Sequence, residues 1–347
     1  MNKLPSRLAL RSLWQLTAVR FWLILREPEA IFWIFIFPIL LAAGLGIAFR
    51  NRPPEVLPVA ATTPRLTQAL AADKGLKATR MTEPEGRHAL ATGAILLLAI
   101  ARNGGVVYEY DATNPDARTA RLVANEAIQQ AAGRRDVVTA ANQPVHEVGS
   151  RYIDFVVPGL LGMNLMGSAM WGLGFAIVEA RQKKLLKRLV ASPMPRWQYL
   201  MSFVLSRLAM LVIEVVAFLG FARLAFGVPF RGPLWELGAV CVLTSLVFSA
   251  MGLLVASRAR TMEAVSGLMN LTMLPMWILS GVFFSASRFP AAIQPFVQAL
   301  PLTAAINAMR GNMLQGLGAE HLMAPVGILL VWLVVPFAVS VRIFRWR

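Results

Sequence analysis

The sequence predicts an α-helical polytopic membrane protein with six transmembrane helices and a small α/β extracytoplasmic domain inserted after the first span. Three observations carry this. Hydrophobic residues make up 57% of the 347 and charged ones 15%, a balance outside that of soluble globular chains. The apolar residues gather in runs long enough, at 1.5 Å per residue, to cross a hydrocarbon core of about 30 Å. Between the first two such runs, residues 50–151 alternate short apolar stretches with amphipathic ones, the pattern of an α/β domain.

Charge and cysteine content narrow the class further. A net charge of +16 raises nucleic acid as a partner. The cations, however, stand at the ends of apolar runs and form no basic stripe interleaved with aromatics, so no nucleic acid is expected. Cys241, the one cysteine, lies inside an apolar run and excludes an intrachain disulfide.

The elements follow in order. Residues 6–26 interleave Leu, Trp and Phe with Arg7, Arg11, Arg20 and Arg26, which predicts a helix lying in the membrane interface. Glu27, Pro28 and Glu29 start a new helix, since proline and acids suit a first turn. Ala30 to Phe49 contains no charge and is the first span, completing a segment over 1–49; it is too long for a cleaved signal peptide. Pro38 inside it is tolerable if a neighbouring helix satisfies the carbonyl that it frees.

Residues 50–151 predict the order strand, helix, strand, helix, strand, strand, helix. Gly104 and Gly105 mark the turn between the last two strands, and the apolar run at 94–100 is too short to cross a bilayer. His88 and His146 are isolated and read as surface residues. Further spans are predicted at about 152–178, 199–226, 233–256, 264–286 and 323–341. Residues 287–322, with Pro290, Pro295 and Pro301, read as short external helices at the surface or dipping partly in. Cations set the orientation. Sixteen fall on one side (Lys3, Arg7, Arg11, Arg20 and Arg26; six in 181–196; Arg258 and Arg260; Arg342, Arg345 and Arg347). Only Arg223, Arg231, Arg288 and Arg310 fall in the short loops of the other. The rule places both termini in the cytoplasm and the α/β domain outside.

The segment 179–198, between the second and third spans, holds Leu185, Leu186, Leu189 and Val190 at helical spacing with cations opposite. It predicts a short amphipathic helix offered to a protein or to anionic lipid headgroups on the inner side. Within the spans, Glu214 costs about 2.5–3.5 kcal/mol on insertion scales and needs a partner or a wet path. Arg207, seven residues earlier, lies on nearly the same helix face. The pair is either a structural tie or part of a dimer interface or substrate path. Asn164 and Asn270 read first as interhelical glue and second as binding groups, and Arg151 and Asp154 as boundary residues. Met163, Met166, Met170, Met269, Met273 and Met276 fit either core packing or a surface for varied apolar ligands.

Several stretches together resemble the type-2 family of ABC transporter permeases. They are LREPEAIFWIFIFPILL at 25–41, YDATNP at 110–115, YIDFVVPGLLGMNLM at 152–166, LKRLVASPMPRWQYL at 186–200 and 270–311. The resemblance implies a bacterial inner-membrane exporter subunit. It would pair with a second permease, identical or related, and dock on two cytoplasmic ABC ATPase subunits that bind the ATP and Mg. It also implies that the loop after the second span is the coupling helix, with Glu179, Arg181, Lys187, Arg188, Leu189 and Pro193 as its matching residues. The family's acid-x-Gly-Thr portion reads Gln182-Lys183-Lys184-Leu185 here. No Gly-Lys pair occurs, so no Walker A loop is present and no cofactor is expected in this chain. The cargo implied is a hydrophobic or amphipathic small molecule, as in drug efflux.

Two readings from other classes stand beside this. One is a membrane-anchored scaffold or binding protein whose outer domain recruits a periplasmic or envelope partner. The other is an intramembrane enzyme, against which the spans show neither H-E-x-x-H nor a Ser/His or paired-Asp arrangement.

Overall fold

The computed structural model describes residues 6–49, 56–102, 104–135, 151–184, 196–259 and 261–343. The chain divides into two compact units, 51–145 and the remainder.

In the larger unit, six helices are long and apolar enough to cross a membrane: Pro28–Ala48, Tyr152–Gln182, Val204–Phe226, Leu234–Arg258, Met262–Leu279 and Ala319–Ile343. A further helix, Ser6–Leu25, precedes them. Pro28 opens the first span behind the N-cap Glu27. The ladder then widens to π geometry over Phe32–Ile36 before Pro38. The core gathers around the second span, which is buried along most of its length against the first, fourth and fifth.

The second and fifth spans pack methionine into glycine. The Met269 methyl fills the space over Gly174, and Met273 Cε lies 3.8 Å from where a Cβ on Gly167 would stand. All six methionines singled out in the sequence are buried here, between spans of one chain. They form core, not an exposed surface awaiting apolar ligands.

Several boundaries differ from expectation, each with a physical cause. The fifth span stops at Leu279 instead of reaching 286, because Gly281 turns the chain at φ +77°. The second span runs on to Gln182 and ends where Lys184 adopts φ 53°. Glu179 and Arg181 therefore belong to its last turn and not to a separate helix beginning at 179. Residues 287–322, expected at the surface or dipping partly in, are not all exposed. Pro301–Arg310 is an α-helix buried on nearly every side, and the π turn Gly311–Gln315 that follows buries Gly311, Asn312 and Met313. Arg151 and Asp154 stand at the start of the second span, as cap and first-turn residue, and Asp154 is fully buried there, paired with Arg151 at 2.8 Å.

Arg310 is no loop cation. Its Nε donates to Phe155 O at 3.1 Å and its Nη2 to Gly281 O at 2.6 Å, with the guanidinium 3.6 Å above the Phe155 ring. Pro158 lacks the N–H that the Asp154 carbonyl would use, and the turn it loosens is the one that Arg310 grips. Tyr152 Oη donates to Phe283 O at 3.1 Å in the same region.

The smaller unit is a four-stranded sheet in the order β2-β1-β3-β4: β1 Leu57–Ala61, β2 Leu76–Arg80, β3 Leu97–Arg102 and β4 Gly105–Tyr110. β1 runs parallel to β2 and β3, and β4 is antiparallel to β3. Period-two alternation divides the apolar residues between two faces. Leu57, Val59, Ala61, Leu97 and Ala99 meet the helices Pro64–Ala71 and Pro115–Ala131. Ala60, Leu98 and Ile100 meet the helix Glu83–Ala91. Each helix carries proline at its first or second position behind a polar N-cap, Thr63, Thr82 or Asn114. Gly104 turns β3 into β4 at φ +78°. His88 is exposed on its helix, and His146 lies outside the described residues.

Candidate coupling and membrane-core sites

Two polar assemblies stand out from an apolar bundle. The first is built on the third span, within the helix Arg196–Phe226. Arg207 and Glu214 are seven residues apart, almost two full turns, so their side chains share a face and reach toward each other. Arg207 Nη1 donates to Glu214 Oε2 at 3.2 Å, with the Glu214 side chain wholly buried and Arg207 18% exposed. Ser168 of the second span lies between them. Its Oγ accepts from Arg207 Nη2 at 2.7 Å and stands 2.9 Å from Glu214 Oε1. Arg207 Nε donates to Ser245 Oγ of the fourth span at 3.1 Å. One guanidinium and one carboxyl thus tie three spans together, and the unpaired-charge penalty of the membrane interior is met by four side chains within the chain.

Asn164, one turn before Ser168, extends the tie to the first span. Its Nδ2 donates to Ile34 O at 3.0 Å. That carbonyl sits four residues before Pro38, so it is the one that loses its helical donor to the proline ring. An asparagine on one helix repairs a proline defect on another. Replacing it with an apolar residue strands the carbonyl in a buried site. Asn164→Leu is therefore expected to lower stability by about 1–3 kcal/mol. Asn164→Leu with Pro38→Ala is expected to recover most of that. Thermal midpoints of the detergent-solubilised protein check both. Asn270 does not act this way: it is exposed and makes no interhelical hydrogen bond among the described residues.

The second assembly lies at the end of the second span. Glu179 and Lys183 pair on the exposed face at 2.5 Å. The Glu179 carboxylate, through that hydrogen bond first and its charge second, raises the Lys183 ammonium above its ordinary value. Arg181 turns the other way. Its Nη1 donates to Ala256 O at 3.1 Å and Ala259 O at 2.6 Å, and its Nη2 to Ser257 O at 3.3 Å. These are carbonyls at the C-terminal end of the fourth span, where helical donors have run out and the dipole favours a cation. Lys187, Arg188, Leu189 and Pro193 lie outside the described residues. No group of three or more His, Cys, Asp or Glu side chains that could hold a metal occurs among the described residues.

The sequence points to Arg207, Glu214 and Asn164. It misses Ser168 and Ser245, although Ser168 falls one turn after Asn164 on the same face. These six spans, with a basic end between the second and third, match known proteins along most of the chain. The family described as ABC-2 family transporter protein matches residues 28–342. The chain belongs to the ABC-2 transporter family. Among its relatives are the inner membrane transport permease YadH of Escherichia coli K12, 28% identical over 54% of this chain and 72% of that one. Nodulation protein J of Bradyrhizobium diazoefficiens is 29% identical over 57% of this chain and 76% of its own. ABC transporter G family member 20 of Dictyostelium discoideum is 27% identical over 53% and 26%. The protein is thus an ABC-2 permease, the membrane subunit of an ABC transport system, and a multi-pass protein of the cytoplasmic membrane.

Proposed function

We propose that this permease is the transmembrane half of an ATP-driven exporter that moves hydrophobic or amphipathic small molecules, drug-like or lipid-like, out of the cytoplasm or inner leaflet. It works with a second permease, identical or closely related, and with two cytoplasmic ABC ATPase subunits that bind ATP and Mg. The termini and the segment 184–195 face the cytoplasm, and the unit at 51–145 faces outward, where it is free to meet an envelope adaptor. The observation that carries this reading is the second span. One continuous helix runs from the buried polar tie at Ser168 to the basic end at Arg181–Lys184. A force applied at that end by an ATPase reaches the centre of the bundle without crossing a flexible joint.

Packing sorts the helix ends into the same two sets as the cations do, and the cations choose which set faces the cytoplasm. The ends assigned to the cytoplasm, at Arg181 and Ala259, meet one another, and so do those assigned to the outside, at Tyr152, Phe283 and Arg310.

The test is co-purification from membranes with the ATPase encoded nearest to this gene. The intact chain is expected to hold the ATPase. A variant carrying Leu189→Asp and Arg188→Glu is expected to lose it while running as a folded permease on size exclusion. Retention of the ATPase by that variant overturns the coupling role of the segment. The self-contained core of residues 57–128 favours a second reading, in which the outer unit recruits a partner and the spans anchor it. An intact chain that binds no ATPase but captures an envelope protein through that unit would favour it.

A further inference from the structure

We infer that Arg181 is a positioning residue that straps the cytoplasmic end of the second span to that of the fourth, so that the two ends move together when the ATPase acts. The inference rests on the exporter reading and concerns a contact inside the permease, not the ATPase surface. Its guanidinium takes three carbonyl oxygens in one grip: Ala256 O, Ser257 O and Ala259 O. All three belong to the last turn and cap of the fourth span, which ends at Arg258. Ala256, Ser257 and Ala259 are buried, and Ala180 beside Arg181 is buried too, so the grip is sheltered from competing water.

Only arginine suits this geometry. Its planar fork offers N–H groups on separate nitrogens to oxygens spaced along a helix end, whereas the three donors of lysine radiate from a single nitrogen. The contact also spans 75 to 78 residues of sequence, and it extends to the helix ends the union that packing makes between the second and fourth spans deeper in the bundle. The fourth span passes at once into the fifth, which starts at Met262 under the Thr261 cap. Displacing the end of the second span thus carries the end of the fourth and, through this short joint, the start of the fifth. Without the strap, the two ends are held only by the packing deeper in the bundle, where Gly252 lies against the Met170 backbone and Arg207 joins Ser168 to Ser245.

Position-specific fluorescence distinguishes a strap from a mere helix cap. Lys183→Cys and Arg258→Cys each place a thiol at an exposed site on one side of the strap. Cys241 is buried and stays unlabelled in the folded protein. Each variant, with an environment-sensitive dye, is reconstituted with its ATPase in liposomes, and ATP with Mg is added. With Arg181 intact, both positions are expected to respond. With Arg181→Met, the response at 183 is expected to persist and the response at 258 to be lost. With Arg181→Lys, which folds more readily, the response at 258 is expected to fall part-way. A full response at 258 in either variant overturns the strap, as does loss of the response at both positions together. Failure of the intact permease to bind an ATPase is a separate result and strikes the exporter reading instead.

Discussion

Glu214→Ala is expected to destabilise the permease by about 3–5 kcal/mol, because it leaves the Arg207 guanidinium buried without its counter-charge. Ser168 and Ser245 remain as partners for Arg207, but neutral hydroxyls replace only part of what a carboxyl supplies in an apolar surround. Arg207→Leu alone is expected to be costly for the converse reason. The pair of changes together is the informative variant. Glu214→Leu with Arg207→Leu removes both charges and fills the space with apolar carbon, so it is expected to recover most of the loss. Midpoints of thermal unfolding in detergent, followed by size exclusion with fluorescence detection, give the comparison. A double variant no better than the worse single one would show that the two groups act separately. If the double variant is stable yet transports poorly, the tie serves motion and not only stability.

Gly159→Val is expected to prevent assembly of the bundle. A Cβ at residue 159 would stand 2.5 Å from Val282 O and 3.0 Å from Val282 Cα. Both are backbone atoms of the turn that Arg310 and Tyr152 already hold in place, so neither can swing aside as a side chain would. Gly159→Ala alone is expected to cost at least the 1–3 kcal/mol typical of overpacking, and valine adds two methyl groups to the same clash. Gly167→Ala is the control. Its new methyl meets only the end of Met273, at an ordinary contact distance of 3.8 Å, and is expected to change stability by no more than about 1 kcal/mol. Monodisperse expression of the Gly167→Ala variant beside aggregation of the Gly159→Val variant is the expected outcome.

The parts of this permease that are legible in the sequence are those whose signal is local. A run such as Ala30–Phe49 declares itself by composition, and Glu214 with Arg207 by a spacing that puts both on one helix face. Gly104 marks its turn in the same local way. The carbonyl freed by Pro38 is expected to find a donor, but nothing near residue 38 says that the donor is Asn164, 130 residues away from Ile34. Arg310 reads as a short-loop cation and Arg181 as a residue of the basic segment for a similar reason. An arginine between apolar runs looks like a loop residue until the carbonyls that it serves, at 155 and 281 or at 256–259, are brought beside it. The boundary position of Asp154 is legible, but its full burial is not, since Arg151 could pair with it in water or in the core. The fifth span reads too long because residues 280–286 are apolar by composition, whereas the left-handed turn at Gly281 ends the helix regardless. Backbone geometry overrides hydropathy there.

The length of the second span has a further consequence. Its 31 residues measure about 46 Å as an α-helix, against a hydrocarbon core of about 30 Å. Even at a tilt of about 20° the helix outreaches the core by more than two turns. The charged last turn, Glu179–Gln182, takes up part of that surplus, so it stands clear of the acyl chains as a stiff stalk. Bilayers that differ by a few ångströms then change how much stalk shows, and not whether the basic end stays in water. Tolerance of bilayer thickness is built into the length of one helix.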